Sequence, residues 1–320
     1  NSNLKRGQPA LLVGGPPCQP FSKSGYWHSG DTLRMSDPRA ATVREYLRVL
    51  EETLPQAFIL ENVPGFAYEA KSDGLDFFLR HLRRINREKR TNYQAHWAVL
   101  NAIDYGVPQR RERLFIVGSR DGVAFSFPSA THSDCDKNLQ PFRATWDSFG
   151  DLDSCLENED LALAGKWAEL LPSIPEGWNY LWHTEKGGGI PLFEWRSRYW
   201  NFLLKLSKHE PSWTIQAQPG PAPGPFHWRN RRHSSKELCR LQTFPKSYRP
   251  FGDLRQVQRQ MGNAVPSALA EMLGLQIRMQ FFGEQVRKNL KLLPAQSKTL
   301  ARAQHRKRVP DLYARGSAHL

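Results

Sequence analysis

A cysteine, a carboxylate and a pair of arginines are the residues through which this sequence could do chemistry. Cys18 stands in Gly14-Gly15-Pro16-Pro17-Cys18-Gln19-Pro20-Phe21-Ser22, just after the apolar run Ala10-Leu11-Leu12-Val13. That run reads as a buried strand, so the thiol falls past its carboxyl end, where open α/β sheets place ligands and reacting groups. Pro16, Pro17 and Pro20 fix φ and push the residues before them towards extended geometry, holding a thiol in one orientation. A lone cysteine is more often a small buried hydrophobe, but packing does not require prolines and glycines on its flank. Glu61 ends a second apolar run, Ala57-Phe58-Ile59-Leu60, and leads into Asn62-Val63-Pro64-Gly65. Without a neighbouring nucleophile, Glu61-Asn62 would read as a cap or turn. Gln109, Arg111 and Arg113 alternate at period two, so an extended segment puts all three on one face. Such a face binds a phosphate or carboxylate, or is a plain exposed strand face.

These residues need elements to position them. Asp37-Pro38 predicts a helix start, and Val43, Tyr46, Leu47, Leu50 and Leu54 continue it at helical spacing until Pro55. Strand, crossover helix and strand make a βαβ unit with parallel strands, which brings Cys18 and Glu61 to one edge of the sheet. Lys23 to Asp37 reads as a long loop, a candidate lid. Phe77, Phe78, Leu82 and Ile85 mark a second helix, and Tyr93 to Ile103 and Arg113 to Gly118 two further strands around a turn at Tyr105-Gly106-Val107-Pro108. From about 128 to 225 the periodicity breaks up, tryptophans accumulate, and Phe193 to Trp200 interleaves aromatics with Arg196 and Arg198, a mixture suited to phosphates and base faces. Some of these aromatics must also be core. Lys236 to Gln242 predicts a short helix, Gly262-Asn263 a tight turn, and Pro266 the start of a helix through Leu275. The basic tail from Gly283 reads as mobile.

Lys plus Arg number 45 against 31 Asp plus Glu, a formal charge of +14 that suggests a polyanionic partner, most simply nucleic acid. Four cysteines without C-x-x-C spacing argue against zinc and a disulfide framework, and point to a reducing, cytoplasmic compartment. No apolar run approaches a membrane span.

Taken together, the motifs resemble the cytosine-C5 DNA methyltransferases, in that family's usual order. Pro17-Cys18-Gln19 is similar to the nucleophile motif, Glu61-Asn62-Val63 to Glu-Asn-Val, and Gln109-Arg110-Arg111-Glu112-Arg113 to Gln-x-Arg-x-Arg. Arg240-Leu241-Gln242-Thr243-Phe244-Pro245 and Gly262-Asn263-Ala264-Val265-Pro266 resemble the last two motifs, and Thr214-Ile215 the Thr-Leu pair near the target nucleotide. The resemblance implies an α/β fold: a partial doubly wound, mostly parallel, class I methyltransferase-like sheet with a smaller irregular β-rich target-recognition domain. The expected divisions are 1–127 for the second half of the catalytic domain and 128–230 for target recognition. A hinge and helix at 231–254, a returning helix at 255–282 and a basic tail at 283–320 complete them.

The implied reaction moves a methyl group from S-adenosylmethionine to carbon 5 of a flipped-out cytosine, in a restriction–modification system. Cys18 is the expected nucleophile, Glu61 protonated or sharing a proton with ring N3, and Arg111 and Arg113 the cations favouring the thiolate. Gln19, Ser22, Gln109, Thr214, Arg196 and Arg198 are expected to contact double-stranded DNA, and Pro17, Asn263, Ala264 and Val265 the cofactor. The family's amino-terminal third, with its Phe-x-Gly-x-Gly cofactor loop, is absent from the 320 residues, a gap of roughly two βαβ units or about 60 residues or more. The expectation is truncation or a separate polypeptide carrying that half. Three other readings are a tRNA methyltransferase of the same family, a non-catalytic DNA-binding remnant, and a cysteine hydrolase, for which His28, His96 and His132 stand in no recognisable context as a base.

Overall fold

The computed structural model describes residues 10–16, 41–67, 73–153, 160–196, 199–286, 290–297 and 302–314. Pro17, Cys18, Gln19, Ser22 and Arg198, with the expected lid at 23–37, lie outside them. The described residues fall into two units. Among them no helix is long and apolar enough to cross a membrane.

The first unit comprises Asn1–Asn101, Glu112–Ser129 and Met272–Asn289. Its elements are β1 (Leu11–Gly14), α1 (Ala41–Thr53), β2 (Ala57–Asn62), α2 (Asp73–Lys89), β3 (Gln94–Asn101) and β4 (Glu112–Ser119). The sheet order is β1-β2-β4-β3. β1 and β2 are parallel, with Gly14 opposite Leu60, as the crossover through α1 requires. β4 runs antiparallel to both β2 and β3. The described sheet is therefore mixed, not mostly parallel. The connection from β3 to β4 is a short reversal without a crossover helix, and that imposes antiparallel pairing.

Val43, Leu47 and Leu50 of α1 pack with Phe78, Leu82 and Ile85 of α2 against Phe58, Leu60, Leu114 and Ile116 on one face of the sheet. On the other, Ile277, Phe281 and Phe282 pack with Leu11, Ile59, Val117 and Phe125. Tyr46 ties the two parallel strands together: its hydroxyl donates to the Ile59 carbonyl at 3.0 Å and lies 3.5 Å from that of Leu12. Burial pushes this phenol well above the usual tyrosine range, so it stays a donor at any working pH.

The second unit comprises Ala102–Arg111, Ala130–Glu271 and Leu290–Leu320. It contains α3 (Thr145–Phe149), α4 (Ser235–Leu241), α5 (Leu254–Asn263), the start of α6 (Ser267–Phe282) and α7 (Asp311–Ala314). The expected β-rich character of 128–230 is not what forms there. The described residues hold 3-10 turns and isolated bridges such as Lys205 with Phe226. Prolines such as Pro219, Pro221, Pro223 and Pro225 withhold the N–H groups that a strand ladder needs. Tryptophans replace the ladder as organisers. Trp228 is fully buried, stacks on Phe149 at 4.9 Å and donates to Asp153.

Two expectations about the carboxyl-terminal segment are corrected. Gly262-Asn263 is not a turn: both belong to the last turn of α5, and the backbone leaves the helix at the extended cap residue Ala264. The described tail is held in place, because Val309 and Tyr313 are buried with Leu170, Leu171 and Ile174, and Lys208 donates to the Arg302 carbonyl at 2.7 Å.

Candidate active site

In the first unit, Glu61 sits at the carboxyl end of β2. Its Oε1 lies 2.9 Å from Nε of Arg113, and Glu61 pairs in register with Phe115 of β4. The parallel neighbour β1 delivers Gly14 and Gly15 beside it. A Cβ on Gly15 would stand 3.1 Å from Glu61 Oε2, so a side chain here would press on the carboxylate and shift it. A substituent at Gly14 would strike the Tyr46 ring at 2.6 Å. Asn62, almost wholly buried, reaches the Pro16 carbonyl at 3.4 Å while its own Oδ1 accepts from the Val63 amide at 2.9 Å. Asn62 thereby spans from β2 to the loop two residues before the cysteine, a positioning role that the sequence reading did not give it. Arg113 answers the alternating Gln-x-Arg-x-Arg face in one respect: it binds a carboxylate, and that carboxylate is Glu61.

Gln109 and Arg111 do a different job in the second unit, where both are fully buried. Arg111 Nη2 donates to the Gly262 carbonyl at 2.7 Å, and Nη1 lies 3.5 Å from the Ile215 carbonyl. Gly262 is in the last turn of α5, whose carbonyls lack intrahelical partners, so the guanidinium caps that helix where its dipole favours a cation. Gln109 accepts from the Ile215 amide and donates to the Leu241 carbonyl, both at 3.3 Å. Gln242 donates to the Met261 carbonyl at 2.6 Å, and the Ser267 amide to the Gln242 carbonyl at 2.9 Å. Four motifs far apart in sequence thus share one hydrogen-bonded web.

That web fixes Thr214, which is exposed and donates to the Arg110 carbonyl at 2.5 Å. The adjacent Trp213 carries the Arg110 guanidinium on its ring at 5.5 Å and meets Trp200 at 5.3 Å. Arg196 is exposed over the Tyr199 ring at 5.9 Å. At the α5–α6 junction Asn263 is exposed, and Ala264 and Val265 are half-buried.

A buried carboxylate also went unnoticed in the sequence. Glu237, the third residue of α4 and partner of the cap Ser234, receives Arg231 on both oxygens at 2.6 and 2.8 Å, and His227 Nε2 lies 3.3 Å away. Arg231, His227 and the neighbouring His233 outweigh desolvation and hold Glu237 far below the usual carboxylate range, while burial lowers His227 to about 4. The sequence signal was available: Ser234 and Glu237 stand at capping-box spacing.

The chain matches the C-5 cytosine-specific DNA methylase family over residues 1–279. It is 44% identical over 287 residues to the type II methyltransferase M.SacI of Streptomyces achromogenes, covering 84% of this chain and 72% of that protein. It is 37% identical over 164 residues to M.AquIA of Picosynechococcus sp., covering 48% of this chain and 64% of the relative. To M.NgoFVII of Neisseria gonorrhoeae it is 30% identical over 261 residues, covering 80% and 66%. Among solved structures, a chain assigned as a DNA modification methyltransferase within an E. coli prophage shares the fold, at a TM-score of 0.51 and 22% identity over 86% of this chain and 79% of that one. The chain belongs to the C-5 cytosine-specific DNA methylase family.

Proposed function

We propose that the chain carries the catalytic and DNA-contacting parts of a type II DNA (cytosine-5)-methyltransferase of a restriction–modification system. The observation that carries this reading is the Glu61–Arg113 pair, set beside the glycine backbone that leads into the Pro-Cys-Gln loop.

Carbon 5 of cytosine is a weak nucleophile until something adds to carbon 6. The Cys18 thiolate forms a bond to carbon 6, and the electron pair of the 5,6 double bond moves to carbon 5. Glu61 shares a proton with ring N3 and so offsets the charge that this addition puts on the ring. Arg113 fixes the carboxylate for that contact. After methyl transfer, water takes the proton from carbon 5. The C–H pair restores the double bond, and the carbon–sulfur bond breaks to return the thiolate. The ring must leave the duplex for any of this, and Thr214 and Arg196, both exposed, serve as contacts to its strand. Gln109 and Arg111 act on the site by holding the Thr214 segment, and Gln19, Ser22 and Arg198 complete the DNA contacts.

S-adenosylmethionine, when bound, supplies a methyl group on a positively charged sulfur. Pro17, Asn263, Ala264 and Val265 would hold it, and the exposed Asn263 amide fits part of such a molecule. The remainder comes from a segment outside these residues, on this or a separate polypeptide.

Methyl transfer to duplex DNA and to tRNA, assayed side by side with the cofactor-binding half supplied, tests the reading. Carbon-5 methylcytosine in the duplex alone is expected. Methylation of tRNA alone, or of neither, contradicts it.

A further inference from the structure

A cleft of about 620 Å³ opens in the second unit between the ribbon 215–226 and α5. Its walls are fixed. Gln258 Nε2 donates to the Gln216 carbonyl at 2.5 Å, and a Cβ on Gly262 would come within 2.3 Å of the Ala217 backbone. The Leu203 amide donates to Ala222, and the Gly224 amide to Asn201.

Arg232, Arg255 and Arg259 line this cleft. Some exposed arginines elsewhere are matched to carboxylates, as Arg48 is by Glu45 and Glu52 and Arg278 by Glu284. The three cleft arginines make no side-chain hydrogen bond or ion pair among the described residues. The lining carboxylate, Asp253, is committed to the Gln256 amide at the start of α5. Arg255 and Arg259 stand one helical turn apart on one face, about 6 Å along the axis, which suits a line of negative charges better than a single anion. The cleft also reaches Ile215, next to Thr214.

We infer that this cleft holds the sugar–phosphate backbone of the DNA strand that continues from the target nucleotide, with Arg255, Arg259 and Arg232 on its phosphates. The identity of the polyanion rests on the methyltransferase reading; the cleft's geometry and charge do not.

Fluorescence anisotropy of a labelled DNA duplex across a salt series tests this on the 320-residue chain. Each lost phosphate contact lowers the slope of log affinity against log salt by about 0.9. The Arg255→Gln/Arg259→Gln variant is therefore expected to lose about 1.8 in slope, and Arg232→Gln about 0.9. Arg48→Gln, whose partners lie on α1, is the control and should keep the wild-type slope. Because Arg255 and Arg259 are exposed, the double variant should keep the wild-type unfolding transition. Wild-type slopes in both cleft variants, with DNA still bound, overturn the cleft assignment and leave the methyltransferase reading intact. A slope change for tRNA but not for DNA overturns the choice of strand. Failure of the wild-type chain to bind either nucleic acid defeats the reading beneath both.

Discussion

Arg113 Nε stands 2.9 Å from Glu61 Oε1, an ion pair across two adjacent antiparallel strands, β2 and β4. The two residues come from motifs about fifty positions apart, and the strand register makes them neighbours. An arginine fork can hold a carboxylate in one plane, which a lysine cannot do.

Glu61→Gln keeps the shape and removes the shared proton. It should lower kcat by about 10²–10⁴-fold, the usual range for general acid–base groups. Arg113→Lys should lose less than Arg113→Ala, and mainly in kcat, because the lysine retains charge but not the fork. Single-turnover rates on a duplex substrate measure both, and equal losses in the two Arg113 variants would remove the positioning role.

Arg111 is expected to act on stability first. Arg111→Met leaves the Gly262 carbonyl at the end of α5 without its donor, a loss of about 1–3 kcal/mol. Arg111→Lys should recover only part, since one ammonium cannot reproduce two directed contacts. Urea unfolding midpoints at constant m-value check this. A wild-type midpoint in Arg111→Met would mean that the web does not depend on its guanidinium.

Two glycines should respond in opposite directions. Gly262→Ala drives a methyl group into the Ala217 backbone and should destabilise by about 1–3 kcal/mol. Gly274→Ala, in α6 with nothing within 4 Å of the added carbon, should stabilise by about 0.5–1 kcal/mol. Thermal unfolding of the two variants, compared with the wild type, decides it.

The parallel pairing of β1 and β2, both flanking helices and the strands on either side of the Gln-Arg-Arg segment were legible in the sequence, because apolar period and proline punctuation encode them locally. What was not legible is set by distant partners. Gln109 and Arg111 alternate with Arg113, yet nothing local says that the first two meet Ile215, Leu241 and Gly262 while the third meets Glu61. Gly262-Asn263 looked like a turn because glycine is rare inside helices. It is there because Ala217 leaves no room for a side chain. The segment 128–230 defeated periodicity altogether, since its cores join aromatic rings in stacked and edge-on contact with scattered aliphatic residues and not along a repeating face.

Acid should weaken the second unit in two stages. His227 is fully buried with its pKa lowered from 6.5 to about 4, so between those values the unfolded chain binds a proton that the folded one does not. Stability is therefore lost as pH falls from about 6.5 towards 4, by up to about 3 kcal/mol at 1.4 kcal/mol per pH unit. Glu237, lowered from 4.5, contributes stability above that value and loses it as pH falls further. Urea unfolding at pH 7, 6 and 5 should show the first stage, and His227→Gln should flatten it. A pH-independent midpoint over that range would contradict the assignment.

The central claim is that the Cys18 thiolate bonds to carbon 6 of cytosine, and trapping on a duplex carrying 5-fluorocytosine at the target measures it most directly. Fluorine at carbon 5 cannot leave as a proton, so the bonded state persists after methyl transfer. With methyl donor and the cofactor-binding half present, the wild-type chain should form a complex with DNA that survives denaturing electrophoresis, and Cys18→Ala should form none. A trapped complex with Cys18→Ala, or none with a wild-type preparation that methylates ordinary duplexes, would contradict the account.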